Sequence, residues 1–312
     1  DVAGCNYRPF RYQVNYKKLP QQIILGSETA STVSSRGVYK FPVERKAMAV
    51  YEDHQSSSYD VEHCNWSNLP EDDFIQHEDL PYCIGEFVWT GFDYLGEPTP
   101  YYTNWPSHSS LFGIIDLAGI PKDRYYLYRS HWNKSAKTLH ILPHWTWPGR
   151  EGEVTPVFVY TNYPTAELFI NGKSYGKQSK NNSSLKSRYR LMWMDAIYEP
   201  GEVKVVAYDK DGKAVAEKSV RTAGKPHHIE LVSNRNELTA DGKDLAYVTV
   251  KVVDKDGNLC PADSRLINFS VKGAGKYRAG ANGDPTSLDL FHLPKMHAFH
   301  GMLTAIVQAG EI

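Results

Sequence analysis

With 312 residues the chain exceeds one ordinary domain and suits two or three. Its 35 Lys+Arg against 36 Asp+Glu leave a net charge of -1, which removes any electrostatic basis for a nucleic-acid or anionic-lipid partner. Hydrophobic residues make up 41%, yet no run approaches the ~20 apolar residues that a membrane span requires.

Residues 1–135 alternate short apolar strands, at Asp1–Cys5, Ile23–Gly26 and Gly85–Trp89, with longer polar stretches. Arg36–His54 and Asp123–Trp132 are the helices expected between and after them, the second carrying Tyr125, Leu127, Tyr128 and Trp132 around its turns. Strand–helix alternation predicts a parallel α/β arrangement. About three strands cannot close a barrel of eight. The segment therefore reads as the C-terminal part of a (β/α)8 barrel or as a small α/β unit.

Residues 136–224 read as all-β, with strands at Pro156–Thr161, Ala166–Ile170, Tyr189–Met194 and Val203–Tyr208. Asn171-Gly172 between two strand-like runs is a strong two-residue hairpin signal. Residues 225–312 repeat the pattern, with Leu245–Val253 alternating and Leu266–Val271 and Leu303–Val307 following. Each region predicts an immunoglobulin-like β-sandwich, the second of them truncated. Asp-Lys-Asp-Gly occurs in both, at 209–212 and 254–257. It is not a calcium loop, since Val220 and Arg265 stand where an EF-hand needs its terminal Glu. The start Asp1-Val2-Ala3-Gly4 has neither Met nor signal peptide, and both ends predict a piece of a longer protein.

The chemistry concentrates at the ends of the first region's strands. In Gln22-Ile23-Ile24-Leu25-Gly26-Ser27-Glu28-Thr29-Ala30-Ser31, a buried strand stops at a glycine and releases one carboxylate among small residues. A lone Glu after a strand is ordinarily solvated. On a barrel, however, this is the catalytic mouth, and Glu28 reads as a nucleophile. Gly85–Trp89 ends the next strand on an indole, with Asp93 and Glu97 just beyond. Trp89 reads as a ring lining a sugar pocket, against the alternative of a core tryptophan. Asp93 and Glu97 read as ligands for sugar hydroxyls, or else as turn caps and surface pairs. Asn6 and Tyr7 end the first strand, and Tyr7 is placed to donate a hydrogen bond to Glu28, unless it is a buried structural tyrosine. Carboxylates beside aromatic faces suit glycoside chemistry, in which acids break the bond and rings hold the pyranose.

Other side chains carry less. His227-His228 would face opposite ways as strand neighbours, and His292, His297 and His300 read as surface histidines. The four cysteines, Cys5, Cys64, Cys83 and Cys260, read as free buried thiols. Sequons at Asn65, Asn133, Asn181, Asn182 and Asn268 are of a kind frequent by chance. In the second region Trp145, Trp147 and Tyr163 would be stacking residues if it were a carbohydrate-binding or spacer module, and core or interface residues otherwise.

Ile24-Leu25-Gly26-Ser27-Glu28-Thr29, the stretch from Gly85 to Tyr101 and Pro121-Lys122-Asp123-Arg124-Tyr125-Tyr126-Leu127-Tyr128 resemble the family-two glycoside hydrolases of β-galactosidase type. The likeness is to the bacterial branch abundant in Bacteroides-type organisms. Ala166–Gly172 and Ala281–Ser287 resemble that branch's later sandwich domains. The resemblance implies a retaining exo-glycosidase acting on terminal β-galactosides, with Glu28 as nucleophile at the seventh barrel strand and Trp89 as the sugar platform at the eighth. A related β-glucuronidase or β-mannosidase is the enzymatic alternative. Tyr7 or Asn6 matches a tyrosine near the nucleophile. No metal or cofactor is implied, the partner is an oligosaccharide or glycan, and the setting is periplasmic or secreted. The family's acid/base Glu belongs to an Asn-Glu pair upstream. The Asn-Glu here, Asn236-Glu237, lies in a sandwich context. The isolated chain is therefore expected to be inactive, and to associate with its missing N-terminal part or with itself through an open sheet edge.

Overall fold

The computed structural model describes residues 2–311. The protein is mostly β, with sandwich-like sheets and few helices, and a closed barrel is not evident in it. Ala3–Asn6, Ile24–Ala30 and Cys83–Trp89 form a three-stranded parallel sheet with Ile24–Ala30 at its centre. Asp1, included in the first expected strand, lies outside the described residues. Parallel pairing needs crossovers, and helices Tyr12–Lys18 and Pro70–Asp79 lie in the connections. Tyr12 packs with Ile24 and Cys83 beneath the sheet. Pro70 opens its helix where a missing N–H costs nothing, and Asp72 accepts the Leu69 amide at 2.9 Å.

The helix expected over Arg36–His54 does not form. The segment is irregular apart from Lys46–Ala47, which pairs with Glu62–His63. Pro42 within it lacks the required N–H and biases Phe41 to extended backbone. Asp123–Trp132 is helical as expected, and Leu127 and Tyr128 are its buried members.

Leu139–Leu142, Val157–Thr161 and Leu191–Trp193 form one antiparallel sheet; Ala214–Arg221, Glu202–Tyr208, Thr165–Ile170 and Lys173–Ser179 form a second. Val157, Val159, Leu168, Ile170, Val203 and Val205 fill the space between them. Val157–Thr161 is buried on both faces, because Phe158 and Tyr160 turn outward onto Tyr59, Leu127 and Tyr128 of the first region. That double burial explains its unbroken apolar run. The expected strand at Tyr189–Met194 shortens to Leu191–Trp193, since Tyr189 closes a short helix begun at Leu185. Asn171 (φ 49°) and Gly172 (φ 80°) make the anticipated hairpin turn, both central residues being left-handed.

The last sheet runs His228–Ser233, Leu245–Val253, Met302–Ala309, Gly275–Ala281, with a separate pair Leu266–Asn268 and Lys295–His297. Leu245–Val253 keeps the expected bounds, whereas Leu266–Val271 shortens to Leu266–Asn268. Both Asp-Lys-Asp-Gly turns fold alike: Asp209 and Asp254 each accept backbone amides two and four residues on, at 2.8–3.0 Å.

Trp145 is 1% exposed and takes the core role of its two readings, its Nε1 donating to the Glu199 carbonyl, so it offers no stacking face. Two histidine expectations are corrected. His227 precedes the strand rather than sharing it, and its ring meets His228 at 3.1 Å. His300 is half-buried rather than on the surface, bonded to the Pro261 carbonyl at 2.8 Å. The four cysteines are free; Cys5 is partly exposed and the other three are buried.

His144 stacks on Trp147 at 4.0 Å, and burial, helped by His300, holds its imidazole down at about 3. The unfolded chain therefore binds this proton first, so stability rises with pH through the window from about 3 to the ordinary value of 6.5. His144→Gln should remove up to about 1.4 kcal/mol of that dependence per pH unit. Urea midpoints at pH 7 and pH 4.5 check this, and parallel losses in both proteins would refute it.

Candidate active site

Glu28 lies on the central strand of the parallel sheet, opposite Asn6 in register, and is half-buried. Its carbonyl accepts the Tyr7 amide at 2.7 Å. The Tyr7 hydroxyl meets Ser31 Oγ at 2.7 Å, with Glu28 near enough to bear on its ionisation. Burial first, and then Glu28, push the Tyr7 phenol well above its ordinary value, so it stays a protonated donor. The neighbouring Thr29 points to the other face, where its hydroxyl donates to Glu86 at 2.7 Å.

The backbone is unusual here. Tyr7 (φ 55°), Ala30 (φ 65°), Ser31 (φ 48°) and Glu97 (φ 47°) are all left-handed without being glycine. Such conformations cost about 1–3 kcal/mol each and gather where function requires them. The bend at Ala30-Ser31 turns the chain so that the Ser31 amide donates to the Trp89 carbonyl at 3.2 Å.

Trp89 pairs with Ala30 at the end of the adjacent strand and is half-buried against Val33, Leu111 and Phe112. Its Nε1 donates to the Tyr94 hydroxyl at 3.1 Å, and that hydroxyl donates to Glu97. The two rings stand perpendicular with centroids 6.0 Å apart. Glu97 is exposed. Asn6 is exposed at the rim and accepts the Ser27 hydroxyl at 2.8 Å.

Asp93 is placed differently. Its carboxylate is buried and pairs with Lys122 at 2.6 Å, with the Gly113 amide at 2.7 Å and Ser110 Oγ at 3.3 Å. Burial lifts its carboxyl above the usual range, against the pull of Lys122. Every close partner of Asp93 is therefore internal.

The structure thus assembles two adjacent groups, Glu28–Tyr7–Ser31 and Trp89–Tyr94–Glu97, joined through the Ala30–Trp89 pairing. Ser31 and Tyr94 enter without a local signal. Tyr94 lies in the aromatic stretch after Trp89, but nothing short-range ties Ser31 to Tyr7 across 24 residues. Among the described residues no group of three or more His, Cys, Asp or Glu is arranged to hold a metal ion. The arrangement can present two carboxylates, Glu28 and the exposed Glu97, with a phenol donor and an indole ring to a bound polyol.

Residues 229–312 match glycoside hydrolase family 2 C-terminal domain 5, and residues 152–216 match a family described as a domain of unknown function. The chain is 42% identical to the β-galactosidase BoGH2A of Bacteroides ovatus, over 99% of its own length and 36% of that protein. It is 28% identical to a β-glucuronidase of Formosa agariphila, over 56% of its length and 17% of that protein. A solved β-glycosidase from Bacteroides vulgatus superposes with a TM-score of 0.86 at 30% identity, covering all of this chain and 42% of that one. The chain therefore spans well under half of the relatives it matches.

Proposed function

The chain belongs to glycoside hydrolase family 2, and on that premise we propose that it is the nucleophile-bearing portion of a retaining exo-glycosidase acting on terminal β-galactosides. The observation that carries this reading is half-buried Glu28 near the C-terminal end of the central parallel strand, its carbonyl bonded to the Tyr7 amide at 2.7 Å. On this reading residues 1–135 are the closing strands of a (β/α)8 barrel and 136–224 and 225–312 are two immunoglobulin-like modules.

The chemistry follows from the side chains. Glu28 attacks the anomeric carbon, the C–O bond to the leaving group breaks, and a glycosyl ester forms. Water then cleaves the ester and returns the carboxylate, with net retention. Tyr7 orients the nucleophile and remains protonated throughout. Trp89 holds the apolar face of the pyranose, while Tyr94 and Glu97 fix the indole and offer a carboxylate at its edge. Asn6 supplies an amide at the rim. Asp93, bound to Lys122, holds the loop beneath them.

Retention needs a second carboxyl about 5–5.5 Å from the first to protonate the leaving oxygen. We place that residue in the upstream part of the parent polypeptide, so this chain alone does not turn over. The outer strand Cys83–Trp89 leaves Ile84 58% and Phe87 66% exposed, and through that edge the missing part or a second copy would dock.

The test is covalent trapping. A 2-deoxy-2-fluoro-β-galactosyl fluoride carries a leaving group that needs little protonation, and its fluorine slows hydrolysis of the ester. Incubated with the parent polypeptide, it should add one glycosyl mass to the peptide containing Glu28. Labelling at another carboxylate, or none, would overturn the assignment. The likeness to a β-glucuronidase makes a glucuronide the second substrate to assay; preferential hydrolysis of an aryl glucuronide would move the substrate and keep the mechanism.

A further inference from the structure

We infer that the loop Asn282–Pro285 of the C-terminal sandwich is a positioning clamp for the segment that carries Tyr94 and Glu97, so that this sandwich helps shape the sugar-binding face. The coupling to sugar rests on the reading of Trp89, Tyr94 and Glu97 proposed above; the clamp itself rests on contacts alone.

The contacts form a continuous chain. The Pro285 carbonyl accepts the amides of His108 and Ser109 at 3.1 and 3.3 Å. His108 in turn accepts the Gly96 amide at 2.7 Å, and Ser110 donates its amide to the Tyr94 carbonyl at 2.8 Å. Leu95 and Ser109 bridge antiparallel, while Ser110 Oγ takes the Tyr94 amide at 3.1 Å. The Tyr94 hydroxyl then meets both Trp89 and Glu97. One carbonyl of the last sandwich thus fixes two amides that fix the turn bearing the site's aromatic–carboxylate group.

That carbonyl is itself anchored. Arg36 is 6% exposed and donates from Nε to Asp116 at 2.6 Å, from Nη2 to the Asn282 carbonyl at 2.7 Å and from Nη1 to the Phe299 carbonyl at 3.0 Å. All three guanidinium nitrogens are used, two of them on the C-terminal sandwich. Gln55 Nε2 reaches Asp284 at 3.0 Å. Gly283 has φ 81°, and a Cβ there would lie 2.0 Å from Asp116 Oδ2, so the loop sits against the first region as closely as a backbone can. A spacer domain would have no need of so close a junction beside the loop of the site.

Two readouts test the clamp. In this chain, Gly283→Ala should speed hydrogen exchange across residues 94–110 about tenfold, because the displaced loop releases the His108 and Ser109 amides. In the parent polypeptide it should raise KM for an aryl β-galactoside about five- to tenfold with kcat within about twofold, the pattern of lost binding shared by ground and transition states. Gln55→Ala, which removes only the Asp284 contact, should move both in the same direction by about twofold and guards against a Gly283→Ala protein that fails to fold. Unchanged exchange over 94–110 in folded variants would overturn the clamp. Faster exchange with unmoved KM would overturn its role in sugar binding. If the wild-type parent does not hydrolyse glycosides, or does so without Glu28, the functional reading fails and the exchange result still decides the clamp.

Discussion

Glu28→Gln is expected to lower turnover of a nitrophenyl β-galactoside by the parent polypeptide at least about a thousandfold. The amide keeps the volume, and the Tyr7 amide still bonds the carbonyl of residue 28, so folding should be unaffected. It cannot form the glycosyl ester, because a neutral amide oxygen is too poor a nucleophile to displace the leaving group. Glu28→Ala opens space beside the anomeric carbon, and added azide should occupy it and restore turnover, giving the α-galactosyl azide by a single displacement. That product has inverted stereochemistry, and its formation identifies the vacated carboxylate as the nucleophile. Full activity in Glu28→Gln would refute the role. Hydrolysis by this chain alone would refute the expectation that its acid lies elsewhere.

Asp93→Ala should cost about 3–5 kcal/mol of stability, the usual penalty for removing one member of a buried ion pair. Lys122 and Asp93 have side chains 1% and 5% exposed and meet at 2.6 Å. Without the carboxylate, the ammonium keeps the carbonyls of Ser34 and Leu111, at 2.7 and 3.2 Å, but no directly bonded counter-charge. The Gly113 amide also loses its acceptor. Asp93→Asn retains that acceptor and should cost less. Urea unfolding with an unchanged m value measures both. A stable Asp93→Ala protein with raised KM would instead make Asp93 a sugar ligand.

Several features were legible locally. The alternation of Leu245–Val253, the Asn171-Gly172 turn and the helix Asp123–Trp132 depend on neighbours within a few residues, and each appears where expected. Gly275–Ala281 was not legible: Gly-Lys-Tyr-Arg-Ala-Gly-Ala has little intrinsic strand preference and pairs only because Met302–Ala309 lies beside it. The helices Tyr12–Lys18 and Pro70–Asp79 are short and take their stability from the sheet they cover, so their own periodicity is weak.

The sequence by itself determined the family and the β-rich character of the chain, because strand patterns, turn residues and a motif of consecutive side chains are written in order. Only the tertiary structure decided where each acid points. Glu97 faces solvent beside Tyr94, while Asp93, four residues earlier, turns inward to a lysine 29 residues away. A buried ammonium demands a counter-charge wherever the fold places it. The same holds for Arg36, which finds Asp116 within its own region and gains the carbonyls of Asn282 and Phe299 only when the C-terminal part meets the first region. Burial and charge neutralisation are properties of the packed molecule, and no local pattern encodes them.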